Sequence, residues 1–173
     1  MGSLRINTVE KSRKHQGKCR GCGKVINKGD PYKWVKPRYG GRTIKCLDCN
    51  FRGSEMESNE TLSSLYAGVE SVEDRLSTTP SHEEIEEIRD ELVSAIEEAR
   101  DAFQEKADNL SEHFPDSEMV SDFEEKVQEL DSWLDGINDV DVEYDEEELT
   151  ESLETWTERV WGELQAKAGE CPI

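Results

Sequence analysis

Two Cys-x-x-Cys pairs constrain this chain more than anything else in it. Cys19-Arg20-Gly21-Cys22 is followed, after twenty-three residues, by Cys46-Leu47-Asp48-Cys49. Two intervening residues let the backbone curl so that both thiols of a pair reach one ion. Four thiolates complete a tetrahedral shell around Zn²⁺ and leave no position open for water, which marks a structural rather than a catalytic site. Cys19, Cys22, Cys46 and Cys49 are therefore the candidate metal ligands, and Zn²⁺ is the expected cofactor. Gly23 follows the second thiol, where a tight knuckle favours a residue that tolerates positive φ. The competing readings are two disulfides, which need an oxidising compartment, and a redox pair, which belongs in a βαβ pattern that this sequence lacks. With four thiols in hand, His15 is not needed as a ligand, and Cys171, at the C-terminal end, is read as incidental.

The charge is as uneven as the cysteines are regular. The 173 residues carry a net charge of −20. Residues 1–53 hold fourteen Lys and Arg against three acids, and residues 54–173 hold seven against thirty-eight. The chain thus joins a module of net charge +11 to a remainder of −31. Such asymmetry points to a polyanionic partner for one part and a solvating or mimicking role for the other. Only 34% of the residues are hydrophobic and 36% are charged, so a large buried core is not expected. No apolar run approaches the ~20 residues of a membrane span. The first ten residues lack the apolar stretch of a secretory signal. An intracellular, cytoplasmic protein with no membrane contact is the expectation.

Residues 1–17 are polar and basic and read as a flexible arm; residues 18–53 form the zinc-binding module, and 54–173 an acidic helical domain. Asn27-Lys28-Gly29-Asp30-Pro31 reads as a turn. Tyr32 to Lys36 and Arg42 to Cys46 alternate with the period of a strand, and Pro37 to Gly41 turns between them. A β-hairpin thereby delivers the second pair of thiols to the metal. Zinc stands in for the core that so short a module cannot build. Beyond it the apolar spacing predicts helices near 56–78, 82–113, 118–138 and 146–168. The second helix carries Ile85, Ile88, Leu92, Ala95, Ala99 and Ala102, broadened by Ile96, Phe103 and Leu110. The third carries Val120, Phe123, Val127, Leu130, Leu134 and Ile137 in a strict heptad. The fourth carries Leu149, Leu153, Trp156, Val160 and Leu164, with Gly169 as its C-cap. Ser81 and Glu84 form a capping box, and Ser117 caps the third helix. The fold class expected is α+β: a small zinc-ribbon or treble-clef-like hairpin module, then an elongated antiparallel bundle or coiled coil. A monomer or dimer is expected, with the second and third helices paired within the chain. Trp133, Trp156 and Trp161 flank the apolar seams and read as packing residues, while His82 and His113 read as surface residues.

No Ser/His/Asp set, Walker loop or His-Glu-x-x-His is present, so an enzyme is not expected. Asp139, Asp141, Glu143 and Asp145 alternate in an acidic loop but lack the order of an EF-hand. The hairpin is more informative. Lys33, Lys36, Arg38, Arg42 and Lys45 surround Trp34 and Tyr39. Cations for phosphates beside rings that can stack on bases are what a nucleic-acid surface requires. The plainer reading is that the rings pack on the knuckle and the cations solubilise it. Cys19-x-x-Cys22, Ile26-Asn27-Lys28-Gly29-Asp30, the aromatic-basic strand and the closing Cys pair resemble the start of poly(ADP-ribose) polymerase-type zinc fingers. The resemblance covers about thirty residues and departs at the third ligand, Cys46, which in that family is usually His. The module is also similar to small four-cysteine zinc proteins of bacteriophages. What the resemblance implies is DNA contact through Lys33, Trp34, Lys36, Arg38 and Arg42. Two roles are therefore expected to compete. One is a nucleic-acid-associated adaptor with a protein partner on its acidic helices. The other is an acidic nucleic-acid mimic or scaffold that inhibits a nucleic-acid-handling protein.

Overall fold

The structure, a computed structural model, describes residues 4–36, 41–78, 80–144 and 152–173. The chain is α+β and divides into two compact units, residues 1–66 and 67–173.

The first unit holds five short strands. β1 (Asn7–Val9), β4 (Tyr32–Val35) and β5 (Thr43–Lys45) form one antiparallel sheet in the order β1-β4-β5. Asn7 lies opposite Trp34, and Trp34 opposite Ile44. β2 (Gly17–Lys18) and β3 (Val25–Ile26) form a second, two-stranded ribbon. The hairpin of β4 and β5 is the one expected, although its turn, including Arg38 and Tyr39, lies outside the described residues. The loose arm is not what forms. Residues 7–9 cover the free edge of β4 and satisfy its backbone groups. The segment between β1 and β2 is tied down as well. Ser12 is buried, its amide donates to the Asp30 carbonyl at 3.0 Å, and its carbonyl accepts from Gly29 at 2.8 Å. The Asn27–Asp30 turn thus anchors the N-terminal segment. Around the cysteines one buried cluster comprises Cys19, Ile26, Tyr32 and Cys46, with Val9, Trp34, Ile44 and Cys49 packed against it.

A short helix α1 (Gly53–Met56) follows, then α2 (Glu60–Leu76). The single helix expected near 56–78 is interrupted because Glu57 takes an extended conformation and the Asn59 side chain accepts from the Thr61 amide at 3.0 Å, capping a new start. The Leu4 amide donates to the Met56 carbonyl at 3.0 Å, so the cysteine-bearing unit runs on past the boundary expected at 53.

In the second unit α3 (His82–Ser111), α4 (Glu118–Asn138) and α5 (Leu153–Ala168) pack together. The residues expected to open the fourth helix, Leu149 among them, lie outside the described residues. α3 and α4 run antiparallel, with Arg100 facing Asp131 at 3.6 Å and Phe103 facing Phe123 at 5.9 Å between ring centroids. The buried stripe of α3 is Ile85, Ile88, Leu92, Ile96, Ala99, Phe103 and Ala107. It follows Ile96 and Phe103 rather than Ala95 and Ala102. Ile85, Ile96 and Ala107 recur every eleven residues, a period close to that of an unsupercoiled helix. The Ser81 amide and hydroxyl both donate to the Glu84 carboxylate at 2.8 Å, which closes the capping box. The Ser117 hydroxyl accepts from the Met119 amide. Gly169 caps α5 in right-handed rather than left-handed geometry.

Trp133 and Trp156 are buried, and the Trp133 and Trp161 indoles donate to the carbonyls of Lys167 and Leu76 at 2.8 and 3.0 Å. His82 is not the surface residue expected. Its ring lies 5.4 Å from Trp156 and 6.0 Å from Tyr144, because the start of α3 sits over the indole of α5. Val140 and Val142 are buried while Asp139, Asp141 and Glu143 face outward, which explains the alternation of that loop; Asp145 lies outside the described residues. No helix among the described residues is long and apolar enough to cross a membrane.

Candidate metal centre and basic sheet face

Two knuckles bring the cysteines together. The first lies in the turn between β2 and β3, where the Gly23 amide donates to the Cys19 carbonyl at 2.9 Å and Gly23 adopts φ 73°, as its place after the thiol suggests. The second begins directly after β5, where the Cys49 amide donates to the Cys46 carbonyl. The knuckles are joined by the Cys46 amide, which donates to the Cys19 sulfur at 3.2 Å, and by the Arg20 amide, which donates to the Ile44 carbonyl at 3.0 Å. Gly21 is tightly placed: a Cβ there would lie 2.9 Å from the Cys49 sulfur.

The four sulfurs lie within 4.8 Å of one another. Cys46 Sγ is 3.7 Å from Cys22 Sγ and 3.5 Å from Cys49 Sγ. These are far longer than the ~2.05 Å of a disulfide, and all four are free thiols. Four sulfurs at ~2.3 Å from a central Zn²⁺ would stand ~3.8 Å apart, so the donor set fits that ion. His15 is not part of the cluster, and neither is Cys171. Electrostatics make the same point. Burial raises the Cys19 thiol, but the amides of Cys22, Cys46 and Gly21 stabilise its thiolate more strongly and bring it down to about 6. Hydrogen bonds with Cys46 and Cys22 push the Cys49 thiol up to about 12. Four thiols this close cannot all ionise unless a cation sits among them. The cluster can hold a metal ion through Cys19, Cys22, Cys46 and Cys49.

The residues expected to touch nucleic acid divide differently. Lys36 and Arg42 are exposed. Lys33 is half-buried, and its ammonium donates to the Asn50 side chain at 3.3 Å. Trp34 packs against the core, and the Arg42 guanidinium lies over its ring, 4.0 Å from the centroid. Lys45 does not belong to the exposed set. It is 5% exposed, pairs with Glu55 at 2.5 Å and donates to the Asn50 carbonyl at 2.8 Å. Its partner sits on α1, ten residues along, and no local pattern in the sequence announces it. Arg38 and Tyr39 lie outside the described residues.

No protein-family profile, curated protein or solved structure matches the chain, so the likeness to a poly(ADP-ribose) polymerase-type finger rests on its motif residues alone.

Proposed function

We propose that this protein is a non-enzymatic, zinc-stabilised adaptor. Its basic N-terminal unit contacts nucleic acid, and its acidic helices engage a protein partner. The observation that carries the reading is the segregation of charge between the two compact units. Residues 1–66 hold fourteen Lys and Arg against six acids, and residues 67–173 hold seven against thirty-five. A surface of the first kind draws phosphates through counterion release, and one of the second kind draws basic protein surfaces. Zn²⁺ held by four thiolates would supply folding free energy to a sheet whose buried cluster beside the cysteines is small. With every ligand position taken by sulfur, such an ion offers no open position for chemistry.

The test is an electrophoretic shift with the full-length, zinc-loaded protein on duplex and single-stranded DNA and RNA. Retardation at low ionic strength that weakens steeply as salt rises supports the reading. The absence of retardation of every probe at ~50 mM salt refutes it. A second reading, in which the acidic helices replace a nucleic acid on its protein, is favoured by the outward row of Asp139, Asp141 and Glu143 over buried Val140 and Val142. It requires the protein to displace DNA from such a target rather than to bind DNA itself.

A further inference from the structure

Extended past the last paired residues, the strand register sets three cations in one row. Asn7 lies opposite Trp34 in the β1–β4 pair, and Val35 opposite Thr43 in the β4–β5 pair. Continuing the first pairing by two residues sets Arg5 beside Lys36. Continuing the second by one residue sets Lys36 beside Arg42. Directly opposed residues of an antiparallel pair share a face, so Arg5, Lys36 and Arg42 line one edge of the face that carries Trp34. Neighbouring strands stand ~4.8 Å apart, so the row spans ~10 Å. All three residues are exposed, and among the described residues none is in an ion pair, in contrast to Lys45. Arg5 joins this set only through the β1 pairing, which a flexible arm would not have provided.

Among the described residues, the rings beside the row are not free to receive bases. Tyr32 is 6% exposed, and Trp34 is covered on one side by Arg42 and on the other packs with the core. A platform for single strands needs open aromatic faces. A row of cations with no such face among the described residues matches the phosphodiester backbone, whose charge is densest in a duplex.

We infer that Arg5, Lys36 and Arg42 form a backbone-binding row for double-stranded nucleic acid that reads phosphates and not bases. The inference rests on the function proposed above and specifies the ligand of the same unit. It is tested by fluorescence anisotropy of the full-length, zinc-loaded protein on A·T-rich duplex, G·C-rich duplex and oligo-dT, across a series of salt concentrations. The two duplexes should bind alike and better than oligo-dT. The triple variant Arg5→Gln/Lys36→Gln/Arg42→Gln should weaken both duplexes by the same factor and make the salt slope shallower by about three, about one per lost phosphate contact. The companion variant Lys11→Gln/Lys14→Gln/Lys28→Gln removes the same charge from the segments after β1 and before β4 and should leave most of the slope intact. Zinc content and circular dichroism equal to those of the parent show that both variants fold. Equal losses in the two variants overturn the row while leaving nucleic-acid binding standing. Tighter binding of oligo-dT, or a preference between the duplexes, overturns backbone recognition. No binding by the parent protein removes the row and the proposed function together.

Discussion

Cys46 combines several duties in one side chain. Its sulfur lies 3.7 and 3.5 Å from those of Cys22 and Cys49, its amide donates to the Cys19 sulfur, and it is 4% exposed directly after β5. Cys46→Ser removes one thiolate and leaves the other three crowded around a weaker donor. Structural zinc is worth ~10–16 kcal/mol of apparent binding free energy in small domains. Losing a quarter of the donor set should therefore release the metal to a chromophoric chelator that the parent resists. The strand signal in circular dichroism should fall with it, and retention of one tightly held equivalent of zinc by the variant would refute the ligand assignment. The four thiols were legible in the sequence because their spacing is local. Lys45 was not, since its neighbours in the chain mark it as another cation of the strand. Only the fold sets it against Glu55 and Asn50. Trp34 likewise reads as an open ring until the guanidinium of Arg42 is found above it.

Among the helices, α2 and α3 are joined by a small polar cluster. The Glu91 carboxylate accepts from the Ser71 hydroxyl at 2.6 Å and from Arg75 at 2.9 Å, while Glu87 takes the other guanidinium nitrogen at 3.4 Å. Hydrogen bonding from Ser71, then from Arg75, holds the Glu91 carboxyl below its ordinary value. A lowered carboxylate contributes stability that is present above its unfolded pKa of ~4.3 and disappears as the pH falls through the lowered value. Glu91→Gln should therefore lower the unfolding free energy measured in urea at neutral pH, by less than ~1 kcal/mol because the pair is partly exposed. The shift should vanish in acid, and a difference that persists at low pH would show that packing, not charge, is what the substitution removes. Helix bounds were readable where a cap is encoded nearby, as with Ser117 ahead of α4. They were not where the signal lies inside an apolar pattern. The break at Glu57–Asn59 is set by an amide that finds the Asn59 side chain, and hydrophobic spacing passes straight through it. The α3 stripe shows the same limit. Ala95 and Ile96 fit a helical face almost equally well, and the larger side chain takes the interior.

Across the whole molecule, charge is the dominant long-range influence. The helical unit carries seven Lys and Arg against thirty-five acids, and its own carboxylates repel one another. Screening acts over ~10 Å at 0.1 M salt. Thermal unfolding of the helices, followed at 222 nm, should therefore move up by several degrees between dilute buffer and ~0.5 M salt. A melting temperature that is flat or falling would mean that local ion pairs, such as Arg100 with Asp101, outweigh the summed repulsion. The charge split was plain in the sequence, since counting needs no fold. The eleven-residue stripe, the strand at 7–9 and the ring cluster around Trp156 were not, because each depends on a partner distant along the chain. The indole of Trp161 on the last helix closes the final carbonyl of α2, eighty-five residues earlier in the chain. The closing segment of the polypeptide is thus a hidden terminator for a helix made long before it. A protein truncated ahead of Leu153 would lose more than α5. Amide protons near Leu76 would exchange faster, and fraying would begin at a site that the deletion never touched.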